Sequence, residues 1–277
     1  MQLGESNPFT LGIMMDLALT YSVQGQYSKA EVLYKQCLDK QKVLLGESHL
    51  NTLTTMNNLA ETYSHQDKHS DAEVLYKLCL DKRKIVLGES HPETLTTMSG
   101  LANTYYNQDM LSLSEDLHKQ CFVGRKEVLG QSHPHTLQTK NNLANTYYSQ
   151  GKHSLAEAIY KQCLVKQKEV LGENHPYTLS TMSRLATTYS AQQLFSEAEE
   201  LYKQCLDKRK VVLGESHPDT LNTMLNLANT YDKQCQFRDA EVLYKQCLPI
   251  MKVVLGKKHP NTIRIKDFLA HSMSENF

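Results

Sequence analysis

The sequence predicts an all-α protein, an α-solenoid of antiparallel helix pairs, and three observations predict it. The glycine of a recurring Leu-Gly motif returns every 42 residues, and no residue is inserted or lost between copies. Each period holds two stretches with apolar residues at helical spacing, and neither shows the alternation of a strand. A fixed period of about 20 to 50 residues is typical of solenoids, in which each repeat packs on its neighbours. The seven glycines are Gly4, Gly46, Gly88, Gly130, Gly172, Gly214 and Gly256.

Both helices of a pair are visible in the second copy. The first covers residues 52–66, with apolar side chains at i, i+3, i+4 and i+7, which is one face of a helix. Those residues are Met56, Leu59, Ala60 and Tyr63. The second helix covers residues 70–87 and has the same period. Each repeat is therefore expected to fold as a first helix, a short turn and a longer second helix.

The linker between repeats has residues that end one helix and begin the next. Gly88 follows the last apolar residue, where a left-handed conformation ends a helix most easily. Pro92 comes four residues later and is expected in a first helical turn, which tolerates its missing N–H. Pro249 stands inside the sixth second helix, which we expect to kink or end after Leu248.

The repeat also predicts the domain organisation. A length of 277 residues would ordinarily suggest about two domains. The unbroken period instead predicts one solenoid over residues 1–277, with repeats at about 5–46, 47–88, 89–130, 131–172, 173–214 and 215–256. Residues 257–277 are expected to form a capping helix. The third repeat should be the least stable, because Ser114 and His118 replace packing residues and Gly124 stands inside a helix.

Six of the seven cysteines share one helical position. Neighbouring copies should be separated by one layer of the stack, on the order of 10 Å, which is too far for a disulfide. We therefore expect them to be buried, reduced and poorly reactive. Cys235 is the exception, because it lies in a turn and is a candidate reactive thiol. The six are Cys37, Cys79, Cys121, Cys163, Cys205 and Cys247.

Composition disfavours nucleic acid and membrane as partners. The 30 basic and 30 acidic residues cancel, so no overall field attracts polyanions. Basic turns close the second helices, but nearby acids offset them and no stacking aromatics interleave, so solvated helix ends explain them better. The apolar runs are far shorter than the roughly 20 residues of a spanning helix. Residues 1–5 lack the layout of a signal peptide. We expect a soluble, cytoplasmic protein with no membrane insertion and no bound nucleic acid.

No catalytic residue, cofactor site or metal site is expected. The linker histidines occur once per repeat, too far apart to share an ion, and no Cys-x-x-Cys or His-Glu-x-x-His motif is present. No nucleophile–base pair or glycine-rich phosphate loop stands out from the repeat.

The motif of each repeat resembles the tetratricopeptide repeat. Leu-Ala-x-x-Tyr on the first helix, as at Leu227, is followed by Ala-x-x-x-Tyr-x-x-Cys on the second, as at Ala240. The 42-residue length and the Leu-Gly-x-x-His-Pro linker resemble the repeats of kinesin light chains and nephrocystin-type proteins. This resemblance implies a right-handed superhelix that binds other proteins and does not catalyse a reaction.

The resemblance also implies a peptide-binding groove along the first helices. In the family, the side chains two residues before and after the leucine of Leu-Ala face the groove, and most of them here are amides and hydroxyls. Tyr106 and Tyr148 lie one turn further on, and Lys140 and Arg184 are the positive charges at the middle of the groove. The expected groove residues are Asn57, Glu61, Ser99, Asn103, Tyr106, Lys140, Asn141, Asn145, Tyr148, Ser183, Arg184, Thr187 and Asn229.

Two functions follow from these residues. An asparagine ladder has donors and acceptors for the backbone of an extended peptide, which suits an adaptor that binds partner segments. Alternatively, the asparagines only solvate an exposed face, and the array is an architectural or regulatory part of a larger signalling protein that contacts partners by its convex face. The adjacent Asn58, Asn142 and Asn226 match a structural position and are left out of the site. The oligomeric state stays open, with a monomer favoured.

Overall fold

The computed structural model describes residues 7–274, and the side chains of residues 7–269. Within that range the chain folds into thirteen consecutive α-helices and no strand, which confirms the all-α solenoid class. Odd-numbered helices are the first helices of the repeats and even-numbered ones the second. The helices are α1 Pro8–Val23, α2 Tyr27–Leu45, α3 Leu50–His65, α4 His69–Leu87, α5 Pro92–Asn107, α6 Leu111–Leu129, α7 Pro134–Ser149, α8 His153–Val170, α9 Pro176–Ala191, α10 Phe195–Leu213, α11 Pro218–Lys233, α12 Phe237–Val254 and α13 Pro260–Ser274.

The linker histidines cap the first helices. In α5, the His91 Nδ1 atom accepts a hydrogen bond from the backbone N–H of Glu93 at 3.2 Å, and Pro92 occupies the first turn. This bond satisfies one of the N–H groups that have no partner inside the helix. The same cap recurs at His49, His133, His175, His217 and His259. The repeated His-Pro pair is therefore a helix start.

The linker glycines differ from the left-handed conformation expected of them. Gly88 has φ 92° and ψ 163°, which is positive-φ but extended backbone. This conformation directs the chain straight out of α4, and the Gly88 carbonyl accepts from the N–H of His91 at 3.5 Å. Only glycine adopts this region without strain, so the requirement for glycine is even stricter than the sequence indicated.

Of the two outcomes expected at Pro249, a kink or an end of the helix after Leu248, the end is wrong. Helix α12 continues through Pro249 to Val254. Pro249 removes the hydrogen bond to the carbonyl of Lys245, four residues earlier. Both residues are exposed, so water can satisfy that carbonyl and the helix tolerates the lost bond.

The helices divide into two compact units, residues 1–146 and 147–277. In the first unit, Tyr34 of α2 packs with Leu53 and Met56 of α3, and the same arrangement recurs one repeat later around Tyr76 of α4. In the second unit, Tyr202 and Tyr244 belong to a larger cluster of the same kind. The apolar positions expected from the helical period thus form the core within each unit, while the organisation as one solenoid domain stays a prediction.

The six repeat cysteines are buried thiols and Cys235 is an exposed thiol, as expected. The thiol of Cys79 donates to the carbonyl oxygen of Leu53 at 3.3 Å, and that of Cys205 donates to Leu179 in the same way. Burial raises the pKa of these thiols above its usual value. Because thiolate is the reactive form, both burial and pKa disfavour modification.

Cys235 should therefore react first with a maleimide probe in the folded protein. It lies in the turn before α12 and is the exposed member of the seven. Mass spectrometry of a labelling time course should show Cys235 modified well before Cys163, and a urea-denatured sample should show all seven labelled at similar rates. Equal rates at Cys163 and Cys235 in the native state would contradict the packing.

Candidate functional site

A cavity of about 520 Å³ lies in the first unit, where α3, α5 and α7 contribute most of its walls. This volume is within the range of about 300–1,000 Å³ that is typical of ligand pockets. Five expected groove residues line it: Asn57, Glu61, Ser99, Asn103 and Tyr106. The sequence did not assign the other lining residues to the site, which are Ser64, His65, Tyr76, Thr96, Gly100, Asn107, Arg125, His135, Gln138 and Asn142.

Three further expected residues of this unit, Lys140, Asn141 and Asn145, belong to α7 but are not among the residues that line the cavity. The Lys140 ammonium lies over the ring of Phe122 on α6, with Nζ 5.7 Å from the ring centroid. The ammonium group therefore makes a cation–π contact with an aromatic ring of the second helix.

The asparagines in the cavity wall are joined across the repeats. Asn57 is only 8% exposed, and its Oδ1 accepts from the Thr97 hydroxyl at 3.1 Å. Asn103 is exposed, and its Oδ1 accepts from the Asn142 amide at 3.0 Å. Asn142 thus has the bridging role expected of its position, yet it also lines the cavity. Its bond orients Asn103 so that the Asn103 NH₂ group is left for a ligand.

Gly100 opens the wall of the cavity at the position where other first helices have a larger side chain. A Cβ atom at Gly100 would lie 2.6–2.8 Å from three atoms of the Tyr76 side chain. The Tyr76 side chain therefore packs directly against the backbone of α5. Burial raises the pKa of Tyr76 well above its usual range, and the charge of Glu61 adds to this, so the phenol stays a neutral hydrogen-bonding group.

Buried arginines recur at one position near the end of the second helices. Arg83 is 3% exposed, donates to the Thr97 hydroxyl at 2.8 Å, and pairs with the Glu93 carboxylate at 2.5 Å. In the second unit, Arg209 has Asp219 as its acid, at 3.9 Å. Each of these guanidinium groups is accompanied by an acid from the next first helix, which offsets the cost of burying the charge.

Arg125 is the member of this set that faces the cavity without an acid. It is 5% exposed and donates to the Thr139 hydroxyl at 2.8 Å and to the backbone carbonyl of His135 at 3.2 Å. His135 stands where two other repeats have Glu93 and Asp219. Among the residues that the structure describes, no carboxylate forms an ion pair with Arg125. The cavity therefore has a buried positive charge that an anionic group can approach.

The second unit contains the remaining expected residues, and two of them are bonded to second-helix tyrosines. The Thr187 hydroxyl lies 2.7 Å from the Tyr202 hydroxyl, and Asn229 Oδ1 accepts from Tyr244 at 2.6 Å. Asn229 Oδ1 also accepts from Arg264. These contacts hold the first helix against the second. The others are Tyr148, half-buried beside His153; Ser183, 7% exposed; and Arg184, exposed.

Across the described side chains, no group of three or more histidine, cysteine or acidic residues is close enough to hold a metal ion. None of the helices in the described range combines the length and the apolar character needed to cross a bilayer.

Comparison with protein families gives a match over most of the chain. The model described as "Tetratricopeptide repeat" matches residues 9–85, 93–165, 135–210 and 195–253. The matches follow the helix pairs of the structure. No curated protein matches the sequence.

Comparison with solved structures gives the same architecture. A putative kinesin light chain from Podosopora anserina, with nearly identical TPR-like repeats, is 24% identical with a TM-score of 0.65, over 76% of this chain and 99% of that one. BtubC from P. vanneervenii is 18% identical with a TM-score of 0.65, over 85% and 92%. A STAND ATPase from Pyrococcus horikoshii with a tetratricopeptide repeat sensor is 14% identical with a TM-score of 0.72, over 96% of this chain and 38% of that one. At these identities the likeness establishes the fold alone.

Proposed function

We propose, since the chain belongs to the tetratricopeptide repeat family, that it is a non-catalytic scaffold that binds extended segments of partner proteins along its first helices. The observation that supports this most is the polar cavity of the first unit, where asparagine, serine and tyrosine side chains from neighbouring first helices meet. A cavity with amides on several adjacent layers suits a peptide backbone, whose N–H and C=O groups recur at regular spacing.

The peptide would lie across α3, α5 and α7. Asn103 donates to a peptide carbonyl, Asn142 holds Asn103 in place, and the Tyr106 ring is an apolar wall. Each bond of this kind contributes only about 0.5–1.5 kcal/mol net, so several layers must act together and micromolar affinity is expected. The expected groove residues of this unit that lie outside the cavity, Lys140, Asn141 and Asn145, would extend the site along a longer ligand. The five expected residues of the second unit would contact a peptide within that unit.

Replacing Asn103 and Asn142 together by alanine should weaken peptide binding about tenfold, because the Asn103 contact and the Asn142 bond that orients it are both lost. The measurement is calorimetry with a peptide selected from a random extended-peptide library on the intact protein. Asn51→Ala is the matched control, because Asn51 is an exposed asparagine of α3 that does not line the cavity. Circular dichroism should show the same helix content in all three proteins. Unchanged affinity in the double variant would move the site off this face.

Arg125 would select an acidic side chain in the same ligand. A ligand carboxylate there would take the role that Glu93 has beside Arg83. Arg125→Met tests this in the same titration, since Met251 occupies that position in the sixth repeat. The variant should lose affinity for a selected acidic peptide and not for the peptide with the acid replaced by its amide. If a double-mutant cycle gave no coupling energy between Arg125 and the acid of the peptide, a residue other than Arg125 would select the acidic side chain.

An architectural role is the second candidate, and one observation favours it. Near the ends of four second helices, one apolar side chain is 84–86% exposed. Large exposed apolar patches often mark interaction surfaces. The four side chains are Val43, Ile85, Val211 and Val253. If partners bind at these side chains, replacing Val43 and Ile85 together by serine would weaken partner binding. Replacing Asn103 and Asn142 by alanine would then leave partner binding unchanged. A cytoplasmic location, protein partners and the absence of nucleic-acid binding belong to the proposal in either case.

A further inference from the structure

The first helix of the chain, α1, exposes a face that the other first helices bury. Ile13 is 54% exposed and Leu17 is 43% exposed. The equivalent residues one repeat later, Thr55 and Leu59, are 0% and 2% exposed. In those later repeats the preceding second helix covers the face, as α2 covers α3 through a bond of 2.6 Å between the Thr55 hydroxyl and Gln41. The repeat itself therefore shows what kind of element fits on α1: a second helix.

Ile13 restricts which second helix fits. The first helices α3, α5, α7, α9 and α11 have a buried threonine at this position, and the second helix before each one has glutamine or arginine opposite it. An isoleucine cannot accept a hydrogen bond, so either of those polar side chains would be buried without its partner. The helix on α1 must have an apolar residue there instead.

Helix α12 is the second helix of this chain with such a residue. Met251 stands where the other five have glutamine or arginine, and it packs in one cluster with Ile265 of α13, at 1% and 0% exposure. Ile265 is the counterpart of Ile13, six repeats apart, and Leu269 is the counterpart of Leu17. The α12 face that fits α13 therefore also fits α1.

A lysine contact favours the same pair. In four interfaces a second-helix lysine lies over the ring of a tyrosine on the next first helix, for example Lys35 over Tyr63 at 5.5 Å and Lys203 over Tyr231 at 5.5 Å. The corresponding lysine of α12 is Lys245, and the corresponding tyrosine of α1 is Tyr21. Helix α1 therefore has the ring that such a lysine contact requires.

We propose that the open face of α1 binds helix α12 of a second copy of this chain, with Ile13 on Met251 and Tyr21 under Lys245. The α13 helix of that copy covers the same α12 face and must swing away, and Gly256, at φ 94°, precedes it. Because α13 competes from within its own chain, self-association is weak and depends on concentration. The contact joins different surfaces of the two copies, so it is heterologous. The expectation of a monomer then holds only in dilute solution.

Sedimentation velocity of the full chain from about 10 µM to about 1 mM tests the proposal, a range that spans weak dissociation constants. The mean mass should rise with concentration, and Ile13→Arg or Lys245→Glu should weaken association more than about tenfold. Val32→Arg is the matched control, because it places the same charge on a residue of α2 that is 53% exposed, close to the 54% of Ile13. Phe268→Ala, which removes the ring packed 4.5 Å from Tyr244, should release α13 and strengthen association. A constant monomer mass, or association that survives Ile13→Arg, would overturn the proposal.

Disulfide trapping identifies the helix that occupies α1. One protein carries Ile13→Cys and the other Met251→Cys, both with Cys235→Ser so that the exposed thiol is absent. A mixture under mild oxidation should give a covalent dimer whose 13–251 bond mass spectrometry locates. A dimer without that bond would mean that the α1 face takes some other helix, and this result also contradicts the proposal. Peptide binding at the cavity is unaffected by either outcome, because neither residue lines it.

Discussion

Between pH 6.5 and pH 4, the wild-type protein should lose about 3 kcal/mol of its free energy of unfolding through His118, and His118→Tyr should not show this loss. His118 is 1% exposed in α6, and burial lowers its pKa to about 4, with the Arg125 charge adding to the effect. The folded protein therefore holds the imidazole neutral, while the unfolded chain binds a proton below about pH 6.5. The stabilisation from the neutral imidazole is fully present above pH 6.5 and is lost as the pH falls from 6.5 to 4. Below pH 4 this group changes the free energy of unfolding no further.

Tyrosine is the right replacement because the same position has tyrosine in the other five second helices. Its hydroxyl would meet Asn103, which stands where Thr187 and Asn229 contact Tyr202 and Tyr244. Urea denaturation at several pH values gives the free energy of unfolding of both proteins. Their difference should grow as the pH falls from 6.5 to 4.

His135→Tyr is the matched control, since Tyr177 occupies the equivalent position one repeat later and His135 is exposed. Replacing this exposed side chain leaves the buried imidazole of His118 in place, so this variant should follow the wild type at each pH. If His118→Tyr and His135→Tyr shifted the pH dependence equally, the buried imidazole would not be its cause.

The period, the helix pairs and the buried faces could be predicted from the sequence because they depend on local spacing. The apolar residues of 52–66 recur at helical intervals whatever the neighbouring repeats do. The linker conformation could not be predicted so well. Gly88 suits both the left-handed and the extended positive-φ regions, and the choice depends on where the next first helix begins. Pro249 was misjudged because the cost of the lost bond depends on exposure, which the residue type does not show.

The candidate site was predictable in part. Five of the expected groove residues do line the cavity, because their positions on the first helices set their direction. Arg125 was missed because it belongs to a second helix, whereas all the expected groove residues belong to first helices. A signal for it exists in the sequence: an acid follows Arg83 and Arg209 by ten residues, whereas His135 follows Arg125. That comparison between repeats would have distinguished the arginine without an acid from its paired equivalents.

Gly100→Ala should lower the free energy of unfolding by up to about 2 kcal/mol, although alanine is the better helix former. The added methyl group would lie 2.6–2.8 Å from the Tyr76 side chain, which is 4% exposed and has little room to move. Such overpacking costs about 1–3 kcal/mol, which outweighs the roughly 1 kcal/mol gained in helix propensity. Urea denaturation of the full chain at neutral pH measures the change.

Gly12→Ala makes the same substitution on another first helix, α1, and should act in the opposite direction. A Cβ atom at Gly12 would meet no heavy atom within 4 Å, so only the propensity gain of up to about 1 kcal/mol remains. The two variants should therefore differ by about 1–3 kcal/mol, since their propensity terms are alike and only Gly100 meets a ring. Equal stabilisation by both would show that Tyr76 can move aside, and the wall of the cavity beside α5 would then be soft enough to adapt to a ligand.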